Sequence, residues 1–267
     1  NISLLGLPAE NDWILYGPYS DKTLIRNFMA YNIFSSIGNY APRTKFCELF
    51  INDDYRGIYI LIEKIKRDKN RVDISKLDST EVVGDNLTGG YILKIDRING
   101  RECGGFYTSY KQHFIQIEYP NCNDIVLQQK EYINSYIDSF ENVLYSDNFN
   151  DTTEGFRYFI DINSFIDVFI LNEISKNIDG YELSTFLFKD KNSINKKIKM
   201  GPIWDYNIAF GNANFNRGYS IEDYSFNYNK SWIYRMMQDT LFYENLIDRY
   251  GELRTTSITD SFLTNII

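Results

Sequence analysis

The sequence predicts an α+β protein with a divergent two-lobed plan: a strand-rich lobe over residues 1–120 and a helix-rich lobe over residues 121–267. Two patterns and one composition predict it. Short β-rich runs separated by polar turns fill the first half, and long apolar repeats at three- and four-residue spacing fill the second. The 267 residues are 43% hydrophobic, with 22 Tyr, 19 Phe and 5 Pro, enough for one large core or two lobes sharing a cleft. There is no internal repeat and no low-complexity segment.

Taken in order, residues 1–20 read as an irregular entry with a strand at Trp13–Tyr16. Asp21 is the expected N-cap of a helix carrying Leu24, Ile25, Phe28, Met29 and Ile33 on one face, with Gly38 as its stop. Lys45–Ile51 and Arg56–Glu63 flank the polar turn Asn52-Asp53-Asp54 and predict a hairpin. Strands are expected at Gly90–Asp96 and Phe114–Glu118. Helices are expected at Ile125–Leu144 and Phe156–Lys176, the second capped by Asp161 or Asn163 and apolar nearly all round, hence buried. Thr185–Lys189 and Lys197–Met200 read as a hairpin around Asp190–Asn195. Helices at Trp232–Asp239 and Leu241–Leu253 close the pattern. The chain starts without Met and stops inside an unfinished pattern, so it reads as a piece of a longer protein.

Charge and cysteine content exclude several function classes. A net charge of −8 argues against a general nucleic-acid-binding surface. The clear basic concentration is Lys64–Arg71, which reads as a solvated face that can also steer an acidic partner. Three Cys without a CxxC pair give no zinc or redox motif, although one bridge between Cys103 and Cys122 is open. The lone His113 reads as structural and argues against a Ser-His-Asp hydrolase. No run approaches the length of a membrane span. Neither GxGxxG nor GxxxxGK[ST] occurs. Gly89-Gly90 and Gly104-Gly105 are weak phosphate-loop candidates that read more simply as turns.

One constellation carries chemistry. A buried helix ends, Asp179 lies on the turn behind it and Gly180 follows; a hairpin comes next, then Asp205 just past its second strand. Helix, loop Asp, hairpin, second Asp is the order protein kinases use for phosphoryl transfer. The first Asp orients or deprotonates the attacking group, and the second holds Mg²⁺, a hard cation that prefers oxygen ligands. Each Asp alone has a plainer reading, a turn for Asp179 and a helix cap for Asp205. Both together, in this order, favour the site.

Asp21–Asn27, Tyr55–Glu63, Gly89–Asp96, Asn177-Ile-Asp179 and Gly201-Pro-Ile-Trp-Asp205 resemble, in order, the signatures of the spore coat protein H (CotH) kinase family, across roughly residues 12–215. The resemblance implies a divergent protein-kinase-like fold that binds ATP with Mg²⁺ or Mn²⁺. It also implies phosphate transfer to Ser or Thr of coat or cell-envelope proteins, and hence a spore-coat or envelope location. Asp179 matches the family's catalytic Asp, and Asp205 its metal-binding Asp. Asn207 stands where the family often has a second Asp, an uncharged oxygen ligand in place of a charged one. Ser184 stands where a kinase carries a metal-binding Asn, and Asn177 is the nearby substitute. For phosphate contact and its support the candidates are Lys94 on a strand, Arg26 on the first helix and Glu63, placed to orient a cation. Rival readings are a pseudokinase, a kinase fold transferring another group, a non-catalytic coat or envelope scaffold presenting its tyrosines, and a carbohydrate-active enzyme with paired carboxylates.

Overall fold

Asn52 and Asp53 both adopt left-handed backbone, φ 50° and 63°, which gives a two-residue turn whose twist suits a β-hairpin. It joins β2 (Thr44–Ile51) to β3 (Asp54–Glu63) in the computed structural model, which describes residues 1–98, 104–110, 113–225 and 231–267. β1 (Trp13–Tyr16) pairs on the other side of β3, completing a three-stranded antiparallel sheet of order β1-β3-β2.

The second sheet has five antiparallel strands, of order β5-β6-β4-β7-β8. These are β4 (Tyr91–Ile95), β5 (Gly105–Tyr107), β6 (Phe114–Tyr119), β7 (Thr185–Lys189) and β8 (Lys199–Met200). β4 pairs directly with β7, Lys94 opposite Phe186 and Ile95 opposite Thr185. The change from strand-rich to helix-rich chain near residue 120 is therefore not a break between sheets: strands from both sides of it share one ladder. Gly105, expected in a turn, instead opens β5.

Both faces of this sheet are covered. Tyr91, Leu93, Ile95 and Leu187 face the main core, while Ile92 and Phe186 join Ile65, Val72 and Ile74 in a smaller cluster against which Phe188 and Trp204 pack. The main core also holds α1 (Arg26–Ser36), α3 (Leu127–Leu144) and α4 (Ile162–Ser175). α4 is buried on all sides, as expected, and packs on α1, on β8 and on α7 (Thr240–Thr256). The remaining helices are α2 (Gly84–Leu87), α5 (Asn192–Asn195), α6 (Trp232–Met236) and α8 (Asp260–Ile266). Among the described residues no helix is long and apolar enough to cross a membrane.

Local chemistry corrects several expectations. Leu24 is left-handed, φ 64°, so the first helix starts at Arg26 rather than at Asp21. Asp21 still serves that end, since its Oδ2 accepts the Arg26 backbone N–H at 2.9 Å. The long helix expected from Phe156 is broken into a 3₁₀ turn at Phe156–Tyr158 and α4, which Asp161 caps by accepting the Ser164 N–H. Cys122 is disulfide-bonded and Cys47 is free; Cys103, the expected partner of Cys122, lies outside the described residues. The ring of His113 packs edge-on against Trp232.

The basic run is a solvated face only in part: Lys64 and Lys69 are exposed, but Lys66 and Arg71 are tied up in ion pairs. Arg71 is fully buried and bridges Glu63 at 3.1 Å, Glu10 at 3.3 Å and Asp68 at 3.1 Å, while Lys66 reaches Glu10 and Asp12. Burial of such charges is tolerated because each has a partner. Arg71→Met would leave Glu63 and Glu10 buried without that partner, and should cost roughly 3–5 kcal/mol of stability. Urea unfolding of the variant checks this; an unchanged midpoint would mean that the network contributes nothing net.

Candidate functional site

α4 ends because Lys176 turns left-handed, φ 51°, and its ammonium group is held by the carbonyls of Glu222 and Asp223 at 2.9 and 2.7 Å. The chain then doubles back. Asn177 donates its N–H to the Asn172 carbonyl at 2.9 Å, and Leu183 donates to the Asp179 carbonyl at 2.9 Å, closing the loop that carries Asp179. A Cβ on Gly180 would sit 2.6–2.9 Å from the side-chain amide of Asn172, so this position accepts only glycine while Asn172 keeps its place. Asn172 keeps it because its Oδ1 accepts the Tyr206 hydroxyl at 2.5 Å and an Asn177 N–H at 3.3 Å. One buried amide on α4 thereby ties the Asp179 loop to the residue beside Asp205.

The second loop hangs from α1. Asp205, left-handed at φ 59°, donates its N–H to the Tyr31 hydroxyl at 3.2 Å, and Tyr206 donates its N–H to Asn27 Oδ1 at 2.6 Å. Farther along, Phe210 donates to the Ser175 carbonyl at the end of α4, and Arg26 Nε reaches the Ala209 carbonyl at 3.1 Å. Both carboxylates thus sit on loops fixed by buried hydrogen bonds to helices.

The two carboxylates share one electrostatic field. Burial raises the Asp205 carboxyl above the ordinary carboxylate value; the negative charges of Asp179 and Asp96 raise it further, and Lys94 opposes them. Burial likewise raises Asp179, with Arg97 opposing and Asp96 adding to the rise. Asp96 is itself paired with Lys94, Nζ to Oδ2 at 2.6 Å, on the face of β4 that looks away from the main core. The site therefore gathers Asp179, Asp205, Asp96, Lys94 and Arg97 from three stretches of chain.

The whole chain, residues 1–267, matches the protein family described as CotH kinase protein. The chain belongs to the CotH kinase family. No curated protein matches it.

For this CotH kinase family member, the geometry sorts the residues singled out in the sequence. Asp179, Asp205 and Lys94 come together, as described. Asn207 lies close enough to the Tyr16 hydroxyl to favour its ionised form, while burial and the charge of Asp205 hold that hydroxyl protonated. Arg26 is engaged elsewhere: its guanidinium pairs with Asp21, Thr23 and the carbonyls of Ala209 and Phe210. It braces the Asp205 loop instead of presenting a free cation. Glu63 is fully buried and is bound by Arg43 at 3.0 Å and Arg71 at 3.1 Å; the carboxylate that partners Lys94 is Asp96. The sequence reading missed Asp96 and Arg97 as site residues, although strand alternation already puts residues 94 and 96 on one face. It also missed Asn172, whose signal was an amide following directly on the apolar run Val168–Leu171 of a buried helix.

The donor set suits a hard divalent cation. Asp205, Asp179 and Asn207 offer oxygen ligands, and Asn177 Oδ1 is buried without a hydrogen-bond partner. Among the described residues, no three His, Cys, Asp or Glu side chains are grouped to hold a metal by themselves.

A stability consequence follows. Because the fold raises the Asp205 carboxyl, the folded chain binds that proton more tightly than the unfolded chain. Without divalent metal, ionised Asp205 opposes folding at neutral pH, and this opposition is relieved as pH falls through the raised value. Asp205→Asn should then melt at a higher temperature than the parent at neutral pH in EDTA, should gain less on mild acidification and should lose stabilisation by Mg²⁺. Differential scanning fluorimetry tests all three; a lower melting point in EDTA would mean that the carboxylate makes a net favourable contact instead.

Proposed function

We propose that this chain is a kinase-like phosphotransferase with a two-lobed, divergent protein-kinase-like fold. In this reading it binds ATP with Mg²⁺ or Mn²⁺ and moves the γ-phosphate to a Ser or Thr hydroxyl of a coat or cell-envelope protein. The observation that carries the reading is the placement of Asp179 and Asp205 on separate hydrogen-bonded loops in kinase order, with Lys94 opposing the charge at Asp205 and Arg97 that at Asp179. Family membership supports it at the level of a kinase-like transferase.

Asp179 takes the hydroxyl proton as the acceptor oxygen bonds to the γ-phosphorus and the bond from phosphorus to the bridging oxygen of ADP breaks. Its raised carboxyl value suits it to this role, since a base is most useful when its proton affinity approaches the working pH. Asp205 would supply carboxylate oxygen to a bound Mg²⁺ or Mn²⁺, with Asn207 beside it, and the ion would contribute positive charge against the phosphate oxygens. Lys94, partly shielded by Phe186 at 5.6 Å, contributes a second positive charge. The pseudokinase reading is favoured by Asn207 and Ser184, which replace charged or metal-binding positions with weaker ligands.

Titration calorimetry with ATP, first in Mg²⁺ and then in EDTA, tests the reading together with a labelled-ATP transfer assay. Asp205→Ala should weaken metal-dependent binding by about tenfold or more. Asp179→Asn should keep ATP affinity within about twofold and lower transfer by roughly 10²–10⁴. Binding without transfer by the parent would favour the pseudokinase, and a folded parent that binds no nucleotide would favour the scaffold.

A further inference from the structure

β4 and β7 leave their ladder together. Ile95 is opposite Thr185, so Asp96 and Arg97 emerge beside Ser184 and Leu183, and Leu183 closes the Asp179 loop through its N–H. At this point the Asp96 carboxylate is used on both sides: Oδ2 takes Lys94 Nζ at 2.6 Å, and Oδ1 accepts the Arg97 backbone N–H at 2.8 Å. From β6, buried Gln116 donates its Nε2 to the Arg97 carbonyl at 3.1 Å. The main chain of Arg97 is therefore gripped before and behind, while its side chain is exposed. A solvated surface arginine needs no such grip.

The other candidate cations are already committed. Arg26 is held by Asp21 and two carbonyls, Arg43 and Arg71 by Glu63, and Lys94 by Asp96. Among the described residues Arg97 forms no ion pair, and its charge falls on Asp179. A planar guanidinium matches two phosphate oxygens at once, which an ammonium group cannot do.

We infer that Arg97 is the residue that contacts the terminal phosphate of the bound nucleotide, with Asp96 as the positioning residue that fixes its backbone and holds Lys94 beside it. The inference rests on the phosphotransferase reading above and adds a phosphate-binding residue to that site. It makes Arg97 specific for the γ-phosphate, because it stands at the Asp179 end of the site, where the acceptor must meet the group being transferred.

Calorimetric titration of ATP and of ADP, each with Mg²⁺, into the parent, Arg97→Ala, Arg97→Gln and Arg97→Lys tests this. Arg97→Ala should weaken ATP by about tenfold or more and leave ADP within about twofold. Arg97→Lys should recover part of the loss, and Arg97→Gln, which keeps much of the stem, should match Arg97→Ala. Asp96→Asn should raise the KM for ATP while leaving the melting point close to the parent's, a split that a merely structural role would not give. Parent-like ATP affinity in both Arg97→Ala and Arg97→Gln, or equal losses for ATP and ADP, overturns the inference alone. A parent that binds no nucleotide overturns the functional reading and this inference with it.

Discussion

The ladder between β4 and β7 sets the position of every residue in the candidate site. β7 follows directly on the Asp179 loop, and β8, paired to β7, leads through Gly201-Pro202 to Asp205. Pinning β7 against β4 therefore fixes both aspartates relative to Lys94, Asp96 and Arg97. The register is strongly specified, because a slip of one residue would exchange the two faces of β4. Lys94 and Asp96 would then turn into the core that Tyr91, Leu93 and Ile95 now fill, at the cost of burying two charges among apolar side chains. The close approach of the strands extends past the ladder. A Cβ on Gly89 would fall 1.9 Å from the Asp190 backbone, so the glycine that precedes β4 is a packing requirement and not a phosphate loop.

α4 supplies the second constraint. It is buried on every side, so it offers a rigid platform, yet it carries two polar side chains that organise its surroundings. Asp167 receives Arg249 of α7 at 2.9 Å and Asn39 at 2.7 Å, which fixes the flanking helices. Asn172, one turn from the helix end, receives Tyr206 and Asn177 and so links both catalytic-candidate loops. Those loops contain left-handed backbone at Tyr181, Ser184 and Asp205. Such conformations cost of order 1–3 kcal/mol each in non-glycine residues. They persist because buried hydrogen bonds from α1 and α4 leave the chain no lower-energy path between its anchors.

Much of this fold was legible from periodicity and turn chemistry. The strands at Trp13–Tyr16 and Thr185–Lys189 lie where the sequence puts them, the Asn52-Asp53 hairpin forms, and the buried character of α4 is plain in its centre, Phe165–Leu171, apolar but for Asp167. What was not legible depends on partners remote in sequence. A run of lysines and arginines looks solvated until Glu10 and Glu63 are brought against Arg71. Arg26 looks like a phosphate ligand until the chain near Ala209 returns to claim its guanidinium. The order of Asp179 and Asp205 was readable because it is local to one helix and one hairpin. Asp96 and Arg97 were not singled out, because their place beside Asp179 exists only through strand pairing across the chain.

The charge balance at the site bears on how an acidic protein would accept a polyphosphate. Asp96, Asp179 and Asp205 bring three negative charges, and Lys94 and Arg97 bring two positive ones. The site is thus short of positive charge even before a nucleotide arrives, and the whole chain carries −8. Long-range steering of an anion toward such a surface is unfavourable. Under the proposed reading, the nucleotide enters as its metal complex, whose cation supplies the charge that Asp205 lacks as a partner. The same deficit favours neutral Asn207, which offers an oxygen without adding a further negative charge. Another full negative charge would lift the already raised Asp205 further toward its protonated form, so the weaker ligand is offset by a more readily ionised one.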